Sequence, residues 1–593
     1  MKKLVFFILL FIPFNIYAYE EAIVDINNLS ITELQEYVDK GYLTYEKITR
    51  LYLDRIEAYN EQYNALVTIN DKAIEQAKEL DIKYQESGRT SLIYGLPVIV
   101  KDNIDVVGMP TTNGTKALLD SYPYKNAEVV QKLVDNGAII IAKANMDEFA
   151  FNATFSYSSF GFVNNAFNTK YSSYGSSGGS AVAVASNLAV YALGSDTGSS
   201  VRVPASANGV VGIRPSYSIV SGDGVIKFES SRDVVGVLTK YVSDSAIVLD
   251  IIDNSDVKYS DYLSKSLEGV TIGVIKGFMN TNTTSTSATY GKTDKFVYNM
   301  MMESIEDLES LGAKIVYLDN FPLTYKFDAT NMCYEFNQYI KGTSSKIKSL
   351  NDLINDGRYT QYIDSYNNSW CNTDYTKTSY YSSYKSTRNN NIKTANNIFD
   401  KYDLDAIIYP TLKTELVTNS VAKWSKIYTP SSSVAPLIGW PAMSLPMGFY
   451  NDLPYGMEIV AKENNEAMIY KIASSYESIN KVYQTPSIAP TLYKTVDSFD
   501  TLLDYYETYK DNRKYKKINA ETIEFIKNYT NDEDKINYLI LKYETEIEEN
   551  QINEINIILI VGVLLLFVFC FKKIKILIKN IRKYRRRMRK WRN

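Results

Sequence analysis

Short runs of β-branched and aliphatic residues recur along the first 480 residues, and stretches with helical periodicity separate them. Residues 92–101 have the pattern of a buried strand, whereas residues 127–136 carry apolar side chains at helical intervals. This alternation predicts an α/β fold with a largely buried sheet. The other candidate strands are residues 138–142, 189–193, 270–275, 314–318, 406–409 and 442–445.

The N-terminus carries the pattern of a secretory signal peptide. Lys2 and Lys3 precede an apolar run over residues 4–14, and Ala18 supplies a small residue at the expected cleavage point. We therefore predict a signal peptide over residues 1–18 and export of the chain that follows it.

The C-terminal region has the pattern of a membrane anchor. Residues 557–571 form an uninterrupted apolar run, and the tail after them carries twelve basic side chains and no acidic one. This pattern predicts a transmembrane helix over residues 554–571 and a basic cytoplasmic tail over residues 572–593, which contacts membrane lipid. Because a span needs about 20 residues, a buried core helix and an interfacial helix are the alternatives. Residues 487–553 are largely charged with helical periodicity and predict a juxtamembrane stalk.

Charge and residue types exclude several classes of function. Without the tail cations, Lys2 and Lys3, the formal net charge falls from −4 for the whole chain to −18 for residues 19–571. An acidic body gives nucleic-acid binding no electrostatic support. The chain has no histidine and only three cysteines, so zinc and copper sites are not expected and no cofactor is predicted. A single disulfide between Cys333 and Cys371 is left open.

Two glycine-rich turns carry serines that are candidates for nucleophilic chemistry. Residues 175–180 read Gly-Ser-Ser-Gly-Gly-Ser, and residues 194–200 read Gly-Ser-Asp-Thr-Gly-Ser-Ser. A serine hydroxyl is a weak nucleophile and needs an adjacent base. In a chain without histidine, that base is a lysine or a carboxylate. Lys101, at the end of the candidate strand over residues 92–101, is the best-placed lysine.

Several motifs in one order and spacing resemble the amidase signature family. They are Gly95-Leu96-Pro97 followed by Lys101-Asp102-Asn103, the turn over residues 175–180, the segment over residues 192–205 and the segment over residues 209–216. The resemblance extends from about residue 28 to residue 482. It implies a large mixed, twisted β-sheet covered by helices on both faces, within a catalytic domain that we place at residues 19–486.

The resemblance also implies a role for three side chains. Ser200 matches the family's nucleophile, and Ser176 matches a bridging serine that follows a cis peptide bond. Lys101 matches the terminal base. Lysine acts as a base only when it is neutral, and burial lowers its pKa toward working pH. In the implied relay, Lys101 takes the proton of Ser176 while Ser176 takes that of Ser200, whose Oγ attacks an amide carbonyl.

Other residues of the two turns are expected to assist. Backbone N–H groups are suited to hold the negative oxygen of the tetrahedral intermediate, because glycine lets the backbone approach a ligand closely. The expected donors are those of Thr197, Gly198, Ser199 and Ser200. Three further residues, Ser177, Asp196 and Arg202, are expected to support the loop without taking part in the chemistry.

Two positions depart from the family pattern. Ser199 stands where the family has a second glycine before the nucleophile, and Tyr174 stands where another glycine is common. The change at Ser199 leaves a backbone N–H in place, so it is not expected to disable the site. Three nearby acids, Asp102, Asp147 and Glu148, are expected to be solvated or to support the site.

We expect a single-pass protein of the cell membrane whose outward-facing catalytic domain is an amidase. It would hydrolyse the C–N bond of a small-molecule or peptide carboxamide through an acyl-enzyme. Two alternatives are left open. One is an amidotransferase similar to the A subunit of glutamyl-tRNA amidotransferase, and the other is a catalytically silent surface protein that uses the cleft for binding. Pocket walls are expected from residues 111–118 and 333–397, while the substrate and the oligomeric state are left open.

Overall fold

The computed structural model describes residues 25–326, 332–360, 363 and 371–492. The expected signal peptide, transmembrane helix and basic tail lie outside these residues, as does nearly all of the expected stalk. Within the described ranges, no helix combines the length and the apolar character that a membrane span requires.

Eleven strands of the described chain form one mixed sheet, in the order β1-β3-β2-β6-β8-β7-β12-β13-β11-β9-β10. Strands β4 and β5 form a separate hairpin. The bounds are β1 Leu66–Ile69, β2 Pro97–Lys101, β3 Ile139–Ala144, β4 Tyr157–Ser158, β5 Gly161–Phe162, β6 Tyr191–Asp196, β7 Val211–Arg214, β8 Val234–Thr239, β9 Thr271–Ile275, β10 Lys314–Leu318, β11 Ala406–Pro410, β12 Ala442–Tyr450 and β13 Leu453–Ala461.

Helices alternate with these strands along the chain. Their bounds are α1 Ile31–Asp39, α2 Tyr45–Tyr63, α3 Ala73–Ser87, α4 Glu128–Asp135, α5 Gly178–Ala185, α6 Arg202–Ala207, α7 Val242–Ile252, α8 Lys295–Ser310, α9 Met332–Tyr339, α10 Leu350–Asp356, α11 Ser379–Tyr402, α12 Asn419–Ala422, α13 Ala435–Ile438 and α14 Glu466–Ile479. Ser30 and Glu33 form a capping box at the start of α1, where each side chain accepts the other's backbone N–H.

Parallel and antiparallel pairs occupy different parts of the sheet. β2 pairs in parallel with β3 and β6, and β9 pairs in parallel with β10 and β11, while the remaining neighbours are antiparallel. Every residue of β2, β3 and β6 is buried. Because successive side chains of a strand point to opposite faces, both faces of this part of the sheet are covered.

All seven candidate strands occur in the structure, which confirms the α/β expectation. The match at residues 314–318 is complete, whereas the first candidate is shorter than expected, because only its last five residues form β2. Residues 92–95 instead form a turn in which Gly95 has φ +71°. A Cβ at Gly95 would lie 2.0 Å from the ring of Tyr45, so only glycine fits there.

The parallel pairing of β2 and β6 places the site. Val98, Ile99 and Val100 lie opposite Tyr191, Ala192 and Leu193, so the two strands end at the same edge of the sheet. In open α/β sheets, ligands bind outside the carboxyl ends of parallel strands. Lys101 is the last residue of β2, and the turn over residues 197–200 directly follows β6.

A disulfide joins α9 to the segment that precedes α11. Cys333 and Cys371 form this bond, and both are buried in one hydrophobic cluster. That cluster also contains Leu118, Phe149 and Phe228, among others. The two regions expected to form pocket walls, residues 111–118 and 333–397, therefore contribute to the same packed cluster.

Candidate active site

Lys101 and Ser176 form the buried end of the site. Both side chains are 0% exposed, and Lys101 Nζ lies 2.7 Å from Ser176 Oγ. Burial lowers the pKa of Lys101 to about 7, against the opposing effect of nearby carboxylates, the largest that of Asp196. A substantial neutral fraction of this amine therefore exists near neutral pH, which is what a general base requires.

Ser195 contacts this amine and Asn103 holds Ser195 in place, although the sequence motifs assigned neither residue a role. Ser195 Oγ lies 2.9 Å from Lys101 Nζ, and Asn103 Nδ2 donates to the same Ser195 Oγ at 3.0 Å. Asn103 Nδ2 also donates to the carbonyl of Ile226 at 3.2 Å. Asn103 lies two positions after Lys101, and Ser195 lies in the second glycine-rich turn. Their positions inside these motifs were the sequence signal that could have identified them as site residues.

Ser176 follows a cis peptide bond with Gly175, as the family resemblance implies. Its carbonyl accepts hydrogen bonds from the Asp147 N–H at 3.1 Å and from Ser156 Oγ at 3.2 Å. A Cβ at Gly175 would lie 2.3 Å from the Phe155 carbonyl oxygen. The backbone before Ser176 is therefore closely enclosed, and only glycine fits at position 175.

Tyr174 explains one departure from the family pattern. Its φ of +58° lies in the left-handed region, which glycine enters without a steric penalty and other residues enter less often. The tyrosine is nevertheless buried, and its hydroxyl accepts the Val417 N–H at 3.3 Å. The local backbone geometry typical of glycine is thus retained by a side chain that packs into the protein.

The turn over residues 197–200 presents its backbone donors. Within the described chain, no hydrogen bond uses the N–H groups of Thr197, Gly198, Ser199 or Ser200. The carbonyl groups are occupied instead, because Gly198 accepts from Arg202 Nη2 at 2.8 Å and Ser200 accepts from the Ser177 N–H at 3.1 Å. The latter bond joins the two glycine-rich turns. Ser200 is 6% exposed, whereas Lys101 and Ser176 are fully buried.

Ser199 does not disturb this arrangement. Its side chain is buried, and its carbonyl accepts the Val203 N–H at 2.9 Å at the start of α6. The backbone at Gly198 has open space beside it, since a Cβ there would meet only Ser432, at 3.9 Å. The glycine retained at position 198 is therefore the one on the open side of the turn.

Asp196 and Arg202 form the expected pair, and it is part of a larger buried ionic network. Two nitrogens of Arg202 contact the Asp196 carboxylate at 3.1 Å, and Arg214 Nη1 contacts it at 3.1 Å. Arg202 also pairs with Glu458, which accepts from Ser431 Oγ at 2.5 Å. Burial alone would raise the pKa of Asp196, but Arg202 and Arg214 hold it at about 2.

The three nearby acids are buried, so the solvated alternative is wrong. Asp102 pairs with Lys143 at 3.1 Å, and both side chains are 0% exposed. Asp147 accepts the N–H groups of Asn152 and Tyr157, and Glu148 accepts from Ser159 Oγ at 2.8 Å. Burial raises the pKa of each carboxyl group. Their partners show that these acids organise the polypeptide around the site.

The comparisons with known proteins agree with this geometry. A model of the Amidase family matches residues 47–470. The A subunit of the glutamyl-tRNA(Gln) amidotransferase of Thermoanaerobacter pseudethanolicus is 34% identical over 502 residues, which cover 78% of this chain and 98% of that protein. The corresponding protein of Clostridium botulinum strain Okra is 32% identical, with 78% and 99% covered.

Solved structures of similar fold include a peptide amidase and an amidotransferase component. The native peptide amidase of Stenotrophomonas maltophilia is 25% identical with a TM-score of 0.67, covering 78% of this chain and 99% of that one. The A subunit of the glutamyl-tRNA(Gln) amidotransferase of Thermotoga maritima is 26% identical with a TM-score of 0.60, covering 79% and 99%. The chain therefore belongs to the amidase family, whose members are enzymes acting on amide C–N bonds.

Proposed function

We propose that this chain hydrolyses a carboxamide through Lys101, Ser176 and Ser200. The observation that carries the proposal is the 2.7 Å contact between the buried amine of Lys101 and Ser176 Oγ. Neutral Lys101 takes the Ser176 proton while Ser176 takes the Ser200 proton, and a bond forms between Ser200 Oγ and the amide carbon. The proton returns along the same path to the leaving amine as the C–N bond breaks. Water then attacks the acyl-enzyme and releases the acid.

The turn over residues 197–200 supports this chemistry electrostatically. Its backbone N–H groups are suited to receive the negative charge that develops on the carbonyl oxygen, because neighbouring hydrogen bonds hold the carbonyl groups and leave the donors available. Removing one such donor in serine hydrolases typically lowers the rate by roughly 10²-fold to 10³-fold.

A serine-reactive fluorophosphonate tests the relay without knowledge of the substrate. We expect one adduct, located on Ser200 by mass spectrometry, and no adduct in Ser200→Ala. Ser245→Ala is a matched control, since Ser245 is a buried serine on α7 whose hydroxyl bonds Tyr470. Absence of an adduct on Ser200 in the folded protein would contradict the proposal and favour a binding protein on the same fold.

We propose further that the catalytic body is exported and held at the membrane. The support is the signal-peptide pattern of residues 1–18, the apolar run of residues 557–571 and the basic residues after it. The Cys333–Cys371 disulfide adds support, because disulfides persist mainly in oxidising compartments. When intact cells are treated with a membrane-impermeant biotin reagent, the reagent should label the catalytic domain. Recovery of unlabelled protein from the cytoplasm with residues 1–18 retained would overturn this placement.

The second candidate function is that of an amidotransferase A subunit, and the curated relatives support it more directly than they support an exported amidase. Those at 32–34% identity are A subunits of glutamyl-tRNA(Gln) amidotransferases, and the match covers nearly their whole length. In that function the nitrogen is released as ammonia and attacks the side-chain carboxyl group of glutamyl-tRNA(Gln), which a nucleoside triphosphate must first activate so that phosphate leaves as the amide forms. The charge of −18 over residues 19–571 means that partner proteins would have to supply the contacts to RNA.

An amidation assay separates the two candidates. The purified chain is mixed with glutamyl-tRNA(Gln), an amide donor, a nucleoside triphosphate that activates the carboxyl group and the remaining amidotransferase components of its own organism. A free-standing hydrolase releases amine at the same rate with and without these additions. Formation of glutaminyl-tRNA that depends on Ser200 would establish the amidotransferase.

A further inference from the structure

Asp233 is a partly buried contact of the oxyanion turn that no sequence motif indicated. It lies immediately before β8, whose Val234 pairs with Asp196 at the end of β6. In antiparallel register, this places Asp233 opposite Thr197, the first residue of the turn. Thr197 Oγ1 donates to Asp233 Oδ1 at 2.5 Å.

The other oxygen of the same carboxylate holds a second segment. Asp233 Oδ2 accepts the Phe228 N–H at 2.7 Å and the Glu229 N–H at 3.0 Å. Phe228 is buried in the cluster that contains the disulfide, and its ring packs edge-on against Phe151 at 6.1 Å between centroids. One carboxylate therefore joins the turn that carries the oxyanion donors to a segment that packs in the cluster shared by both expected pocket-wall regions.

The hydrogen bond between Thr197 and Asp233 is independent of the ionic network formed by Asp196, Arg202 and Arg214. Asp196, Arg202 and Arg214 hold the strand end and the Gly198 carbonyl, but none of the bonds that they make reaches the Thr197 hydroxyl. Thr197 is 7% exposed, so its side chain has little access to solvent as a substitute partner. Loss of the bond to Asp233 frees the residue that begins the turn.

We propose that Asp233 is a positioning residue for amide hydrolysis, holding Thr197 so that the backbone donors of residues 197–200 face the developing oxyanion. This inference rests on the proposed function and goes beyond it, since Asp233 touches neither substrate nor the relay side chains. Misplacement of a catalytic group by about 1 Å lowers rates by as much as 10²-fold. The tie therefore acts on the transition state more than on substrate binding.

Paired substitutions separate the hydrogen bond from the charge. Thr197→Val removes the hydroxyl and keeps the carboxylate, while Thr197→Ser keeps the hydroxyl. Asp233→Ala removes both ties. Asp233→Asn keeps the shape, because its amide can donate to Thr197 while its oxygen accepts the two N–H groups, but it loses the charge. Asp250→Asn is a matched control on α7, where the carboxylate similarly accepts a backbone N–H from Tyr259 and a hydroxyl from Ser260.

Two rates are measured: the second-order rate of fluorophosphonate labelling, and hydrolysis of a 4-nitroanilide identified by screening the wild type. For Thr197→Val and Asp233→Ala we expect each rate to fall about ten-fold or more with KM within two-fold of wild type. Thr197→Ser should recover most of the loss, and Asp233→Asn should lose less than Asp233→Ala. The double variant Thr197→Val/Asp233→Ala should lose no more than Asp233→Ala alone, because Asp233→Ala already removes the hydrogen bond that Thr197→Val removes.

The pH profile supplies a readout that altered packing alone would not move. Asp233 raises the pKa of Lys101 together with Asp196 and Asp147, so Asp233→Asn should shift the acid limb of labelling to lower pH. Thr197→Val should leave that limb in place. Thermal melts identify any variant that fails to fold. If Asp233→Ala does not fold, the comparison of Thr197→Val with Thr197→Ser still tests the proposal.

Thr197→Val with wild-type labelling and hydrolysis would overturn the proposal. The proposal would also be overturned if the rate loss of the double variant equalled the product of the two single-variant losses. A wild type that forms no adduct at all would instead refute the proposed function, so the two failures are distinguishable.

Discussion

The amine of Lys101 lies 2.7 Å from Ser176 Oγ, with both side chains fully buried. Within the described residues, Lys101 forms no ion pair, and its bonding partners are the Ser176 hydroxyl and the hydroxyl and carbonyl of Ser195. A buried ammonium without a carboxylate contact is destabilised relative to the neutral amine. The predictions on pH and on stability both follow from this relationship.

The first prediction concerns pH. Lys101 has a pKa of about 7, so at lower pH the amine is protonated and cannot accept the Ser176 proton. The labelling rate at Ser200 should therefore rise with pH, with a midpoint near 7, and level off above it. Labelling is measured from pH 5 to pH 9 in buffers of constant ionic strength. A rate that is flat or falls between pH 6 and pH 8 would contradict the role of Lys101.

The second prediction is that Lys101→Met inactivates the enzyme and stabilises it. Removing the base should lower the labelling rate by roughly 10²-fold to 10⁴-fold. Because burial lowers the folded-state pKa below the unfolded value, the unfolded chain holds more protons between about pH 7 and pH 10.5. Below pH 7 the buried Lys101 ammonium therefore destabilises the folded state to its full extent, and this destabilisation decreases as the pH rises from 7 to 10.5. Urea unfolding should show Lys101→Met more stable by at least about 1 kcal/mol at pH 6, with a smaller difference at pH 9.

The third prediction concerns the disulfide between Cys333 and Cys371. Reduction, or the double substitution to serine, should lower the free energy of unfolding by about 2–4 kcal/mol, because the bond closes a loop of 38 residues. Urea unfolding with and without a reductant measures the effect. The double-serine variant is the control, and it should be insensitive to reductant. Equal stability with and without reductant in the wild type would show that the bond is not formed.

The fourth prediction concerns Arg202. Arg202→Met leaves the carboxylates of Asp196 and Glu458 without their shared partner in a fully buried setting. Removing one member of a buried ionic network typically destabilises a protein by about 3–5 kcal/mol. Labelling at Ser200 should also fall, because Arg202 holds the Gly198 carbonyl. Arg50→Met on α2 is the control, since its pair with Glu46 is partly exposed and should contribute less than about 1 kcal/mol. A similar loss for both variants would contradict the structural role of Arg202.

Much of the fold was predictable from local pattern. The apolar run over residues 406–409 forms a strand because a buried strand needs only a short uninterrupted apolar segment. β7 and β8 were not predicted, although β8 supplies the neighbour of β6 at the site. β7 is only four residues long, and neither strand is marked by alternating polarity, since both of their faces are buried.

The sequence by itself determined the chemistry that is available: two serines in glycine-rich turns, a lysine at a strand end and no histidine. The tertiary structure decided which groups act on one another. Arg202 reaches Glu458 across 256 positions of the chain, and Asp233 reaches Thr197 across 36, because the order of strands in the sheet brings them together. The lowered pKa of Lys101 was likewise decided by the fold, since desolvation depends on what surrounds an amine and not on its neighbours in sequence.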